Sequence, residues 1–122
     1  MTERQQRIQQ LIDWAKETLV EKYSDKWTAV NQSNMEEHQK GHSYGGYYFH
    51  TSWDEVEKQL KLEARKRWGI SETTARDYAD IARHAIWDNL LSLTISKLDK
   101  IGIEVKPERN ASVRYCYWKD KR

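Results

Sequence analysis

The sequence predicts a mainly α fold with a small β-hairpin, built as one domain. Three observations predict it. Apolar residues recur at three- and four-residue steps through most of the first hundred positions, the period of a helix with one buried face. Beyond Gly102 that period falls to two, the period of a strand. The length, 122 residues, suits one domain of ordinary size and is too short for two. Leu, Ile, Val and Phe supply only 22 positions, so the aliphatic core is lean. Six Trp and seven Tyr make up the difference, since each buried aromatic removes roughly 150–250 Å² from water. The charge is nearly balanced, 21 basic against 19 acidic residues for a net +2. That balance excludes a polycation and an acidic tail, and with the aromatics it favours a folded chain.

The first element is a helix. Thr2 and Gln5 have capping-box spacing, and Ile8, Leu11, Ile12, Ala15, Leu19 and Tyr23 then form one face. Trp27 and Val30 carry that face toward a second helical stretch ending near Gly41, with Met35 too isolated to define it. The segment GHSYGGYYFH at 41–50 changes character. Its glycines break a helix, and Tyr47, Tyr48, Phe49 and His50 favour a short strand over a loop. Ser52 with Glu55 marks the next helix start, followed by Trp53, Val56, Leu60, Ala64 and Trp68 at helical spacing, and Gly69 ends it. Ser71 caps a third helix, whose apolar face is Ala75, Tyr78, Ala79, Ala82 and Ile86. Leu90, Leu91, Ile95 and Leu98 extend the pattern, as one long helix or as two with a bend near Asp88–Asn89. Gly102 stops it. Ile103 and Val105 then alternate with Glu104 and Lys106, turn residues occupy 107–111, and Val113, Tyr115 and Tyr117 alternate with Arg114, Cys116 and Trp118.

The stretch from Trp68 to Tyr78, WGISETTARDY, is the most informative. It resembles the centre of helix-turn-helix DNA-binding domains: a helix, then Gly-Ile-Ser, two variable residues, Thr, and a small residue before a large apolar one. Gly69 allows a positive backbone angle, Ile70 fills the gap between helices, Ser71 caps, and Ala75 permits close crossing. The pattern departs at Arg65, where the family has a small residue; here Ala64 stands one step earlier. The element order, with a basic hairpin last, resembles a winged-helix domain. The resemblance implies a winged helix-turn-helix-like single domain over 1–122. It comprises a helical segment at 1–40, the helix-turn-helix at 52–86, a long helix or extension at 87–101 and a hairpin wing at 102–118. An ordinary capped helical hairpin is the plainer account of the same motif.

The resemblance implies double-stranded DNA as partner, with the third helix in the major groove, and a transcriptional regulator or replicon accessory factor as role. Lys61, Arg65, Lys66 and Arg67, with Lys58, oppose only Glu63 and would anchor phosphates. Ser71, Thr73 and Arg76 open the reading helix, where Arg76 suits guanine and Thr73 a thymine methyl or a phosphate. Arg109 and Arg114 would be wing contacts. Asp77 and Asp80 oppose this unless they pair sideways with Arg76 or Arg83, or unless only the first turn enters the groove. Leu90, Leu91, Ile95 and Leu98 either mate with a twin chain, giving a homodimer for paired half-sites, or cover the first helix.

Other chemistries find little support. His38, His42 and His50, with Glu36 and Glu37 nearby, lack H-E-x-x-H spacing, and one thiol, Cys116, cannot build a thiolate zinc site. No phosphate-binding glycine loop and no nucleophile elbow occur. No metal, no cofactor and no enzymatic activity are therefore expected. Neither a membrane-spanning run nor an apolar leader occurs, and the lone cysteine suits a reducing, cytoplasmic setting. The tryptophans read as core. Tyr44, Tyr47, Tyr48 and Phe49 could stack on single-stranded bases or meet a protein partner, with burial the more usual fate of such residues. The alternative function is a small protein-interaction module, an inhibitor or adaptor, using 44–49 and the charged helices.

Overall fold

The computed structural model of the chain describes residues 1–38, 43–107 and 115–122. Its elements are α1 (Glu3–His38), β1 (Tyr44–Tyr48), α2 (Trp53–Trp68), α3 (Glu72–Lys100), β2 (Ile103–Pro107) and β3 (Tyr115–Asp120). The chain is mainly helical with one small antiparallel sheet.

Local chemistry explains most of the boundaries. Thr2 and Gln5 form the reciprocal capping box: the Gln5 N–H donates to Thr2 Oγ1 at 3.1 Å, and the Thr2 N–H donates to Gln5 Oε1 at 2.9 Å. α1 then continues without a break past Trp27 and Asn31 to His38, where the sequence suggested a second stretch. Met35 is fully buried and belongs to the core. α3 is likewise one helix, with no break at Asp88–Asn89. Ile86, Leu90 and Leu98 are all fully buried, and that continuous apolar face outweighs a local propensity deficit of about 0.5 kcal/mol per residue. Ser52 stands at the N-cap of α2, but its side chain makes no capping hydrogen bond. Its ψ of 61° lies outside the extended region that aims a cap hydroxyl at the first turn.

Two compact units divide the chain. The first comprises 1–23 and 52–90. Its core is Leu11, Ala15 and Leu19 of α1, Val56, Leu60 and Ala64 of α2, and Ala75, Ala79, Ala82 and Ile86 of α3. The alanines shorten the approach between helices. Trp53 and Trp87 stack with centroids 4.5 Å apart and planes within 7°, so α2 begins beside the later part of α3. At the other end of α2, Trp68 meets Tyr78 edge-on at 6.0 Å, and the Arg7 guanidinium lies 5.7 Å from the Trp68 ring centre. α2 therefore runs antiparallel to α3.

The second unit comprises 24–51 and 91–122. Its sheet has the order β1-β3-β2, both pairs antiparallel. The inward face carries Ile103, Val105, Cys116 and Trp118, which are buried with Trp27, Met35, Phe49, Leu91 and Leu98. The early strand runs from Tyr44 to Tyr48, so it begins ahead of the expected Tyr47–His50 stretch, and Phe49 and His50 lie beyond its end. Asn31, fully buried, fixes the exit of β1: Nδ2 donates to the His50 carbonyl at 3.1 Å, and Oδ1 accepts the His50 N–H at 2.8 Å. Lys97 ties α3 to α1, donating to Asp25 Oδ1 at 2.6 Å and Ser24 Oγ at 2.7 Å.

Candidate nucleic-acid interface

The α2–α3 turn forms through backbone chemistry that the sequence specifies. Gly69 closes α2 in the left-handed region, φ 59° and ψ 28°, and its N–H donates to the Arg65 carbonyl at 2.9 Å. Two residues on, Ser71 Oγ accepts the Thr74 N–H at 3.2 Å and its hydroxyl reaches Thr74 Oγ1 at 3.0 Å. Ser71 thus caps α3, and Ala75 is fully buried at its start. Ile70 is half-buried.

Thr73 and Arg76 are exposed on the solvent side of α3. The Arg76 guanidinium lies 4.0 Å from Glu72, an open pair with both side chains more than half exposed. Asp77 does not turn to Arg76. It accepts from Arg4 of α1 at 2.6 Å, so one acid is neutralised from outside the motif. Asp80 pairs with Arg83 at 3.0 Å, one of the sideways pairings expected.

The cations of α2 divide into two groups. Lys58, Lys61, Arg65 and Lys66 share the face opposite Val56, Leu60 and Ala64. Their side chains make no ion pair or hydrogen bond among the described residues. Arg67 lies off that stripe, with Nε fixed to Glu63 at 2.9 Å, so it is occupied rather than poised. A recess of about 530 Å³ runs along the stripe. Lys58, Lys61 and Arg65 line it with Leu62, and so do Asp54, Glu57 and Glu72. Its charges cancel, which leaves Lys66, beside Arg65, as the cation with no carboxylate in that set. Leu62 is 54% exposed, an apolar feature that the charge pattern alone did not single out.

Arg109 and Arg114 lie outside the described residues, as do His42 and the His38 side chain. Among the described residues no three His, Cys, Asp or Glu gather as metal ligands. Leu90, Leu91 and Leu98 are buried within the single chain and Ile95 is half-buried, so this set is covered without a twin. Trp27, Trp53 and Trp118 are buried and the other three tryptophans half-buried. Of the 44–49 aromatics, Phe49 is buried and the Tyr47 side chain lies outside what is described, but Tyr44 and Tyr48 are exposed, contrary to the usual fate of such residues. Burial pushes the Cys116 thiol up to about 12, so it is a protonated core residue. No described helix is long and apolar enough to cross a membrane. Comparison of the chain with family models, curated proteins and solved structures finds no match.

Proposed function

We propose that the first unit binds double-stranded DNA as a helix-turn-helix, with the opening turns of α3 in the major groove. One observation carries the reading. The Gly69–Ser71 turn leaves Thr73 and Arg76 exposed next to a helix whose outer face holds four cations that make no ion pair among the described residues. On this reading Arg65 and Lys66 anchor phosphates, with Lys58 and Lys61 behind them, while Arg76 and Thr73 read base edges. Arg4 and Arg83 support it by neutralising Asp77 and Asp80, which would otherwise repel the duplex. The order of elements, with β1 between α1 and α2 and two strands after α3, supports a winged form of the domain. A regulator or accessory factor acting on paired half-sites would need a twin chain docked elsewhere than on Leu90, Leu91 and Leu98.

Fluorescence anisotropy of the full chain against a pool of random duplexes, at two salt concentrations, tests the reading. Each phosphate contact contributes about 0.9 to the logarithmic salt slope. Lys66→Ala should lower that slope by about one contact and weaken all duplexes alike. Arg76→Ala should cost about 1–3 kcal/mol at one preferred base and spare the rest. Binding that ignores salt, or the same effect from both variants, refutes the division of roles. Leu62 and the balanced charges of the recess favour a second reading, a protein-interaction surface. A protein partner lost on Leu62→Ser, with no duplex bound at low salt, would establish it instead.

A further inference from the structure

We infer that the outward face of the sheet in the second unit is a platform for single-stranded nucleic acid, separate from the duplex site proposed on α2 and α3. Strand alternation creates the face. On β3, Cys116 and Trp118 point inward and are buried, which turns Tyr117 and Lys119 outward. On β2, buried Ile103 and Val105 leave Glu104 and Lys106 on the outer side. On β1, Tyr44 and Tyr48 are 72% and 75% exposed, and Tyr117 is 50% exposed. Register groups them in rows: Tyr44, Lys119 and Glu104 form one, and Gly46, Tyr117 and Lys106 the next. Gly46 contributes no side chain to the Tyr117 row.

Three exposed tyrosines on one small face form a patch, unlike single apolar residues scattered over a surface. Their charged neighbours identify the occupant. Glu104 is held by Lys106 at 3.0 Å and also by Lys121, so this one carboxylate faces two lysines, and Lys119 has no ion pair among the described residues. The face is cationic as well as aromatic. A protein interface core enriches tyrosine but depletes lysine, which argues against a second copy. Bases and phosphates use both. The spacing agrees. Tyr44, the Tyr117 row and Tyr48 follow at two-residue steps, about 6.6 Å each along the strands. That is close to twice the ~3.4 Å step of stacked bases, the spacing needed when each ring takes the place of a neighbouring base.

The full chain titrated into fluorescein-labelled dT8, followed by anisotropy at about 50 and 200 mM salt, tests this. The native chain should bind, and more weakly at the higher salt. Tyr44→Ala and Tyr117→Ala should each weaken binding by about 5- to 160-fold, while Tyr117→Phe, which keeps the ring, stays within about twofold of the native chain. Lys119→Ala should reduce the salt slope by about 0.7. Lys66→Ala and Arg76→Ala should leave dT8 binding unchanged, so failure of the duplex reading and failure of this one are separable. Far-UV circular dichroism establishes that each variant is folded. Absence of dT8 binding overturns the inference, and so does unchanged affinity in the Tyr44→Ala/Tyr117→Ala double variant. A concentration-dependent dimer that Tyr44→Ala dissociates also overturns it, by assigning the face to a second copy.

Discussion

Replacing Gly69 with alanine isolates one physical cause. At φ 59° the residue is left-handed, and a Cβ built there meets no atom within 4 Å. Sterics with the rest of the molecule are therefore absent, and the cost is the backbone conformation itself, about 1–2 kcal/mol for an L-residue with a Cβ. Lost freedom in the unfolded chain returns part of this, up to about 0.5–1 kcal/mol. Gly69→Ala should thus destabilise by about 1 kcal/mol. Gly69→Asn should cost less, since asparagine tolerates this region. With a urea slope of about 2 kcal/mol per molar, the midpoint for alanine falls by about 0.5 M. Six tryptophans make intrinsic fluorescence the convenient probe. Gly102→Ala is the contrast. There φ is 95° and a Cβ would stand 2.6 Å from Arg122 Cγ, while Arg122 is held by Asp120 and Glu36. Its loss should be larger than that at Gly69. A Gly69→Ala midpoint equal to the native one, or alanine and asparagine variants that behave alike, would refute the reasoning from backbone angle.

Three further outcomes follow from the same structure. Asn31→Leu removes both hydrogen bonds to the His50 backbone and should cost about 1–3 kcal/mol in urea unfolding; a neutral result would mean that water replaces the amide without loss. Glu104, bonded by Lys121 and then Lys106, has its pKa lowered to about 2. Its contribution is complete above the ordinary carboxylate range and is lost as pH falls through that range toward 2, so the stability gap between the native chain and Glu104→Gln should close over that window. A constant gap from pH 7 to pH 2 would contradict the pairing. Cys116, buried and protonated, should react with a disulfide reagent at pH 8 only at the rate of opening and promptly in urea; prompt labelling of the native chain would place the thiol at the surface.

Local residue order determined the helices and their ends, because a helix is closed by contacts four residues apart. The Thr2–Gln5 box, the Gly69 stop and the Ser71 cap each depend on neighbours within one turn, and all three form as their residue types require. The change of period at Gly102 likewise announced two strands. The turn from α2 into α3 at the candidate duplex site was legible for the same reason, down to the exposure of Thr73 and Arg76. Tertiary structure decided what depends on residues far apart in the chain. The partner of Asp77 is Arg4, 73 positions away. β1 pairs with β3 and not with β2, which fixes which strand faces are buried. That long-range register turned Tyr44, Tyr48 and Tyr117 outward with Lys119, since side chains alternate along a strand and the inner side was already filled by Cys116 and Trp118.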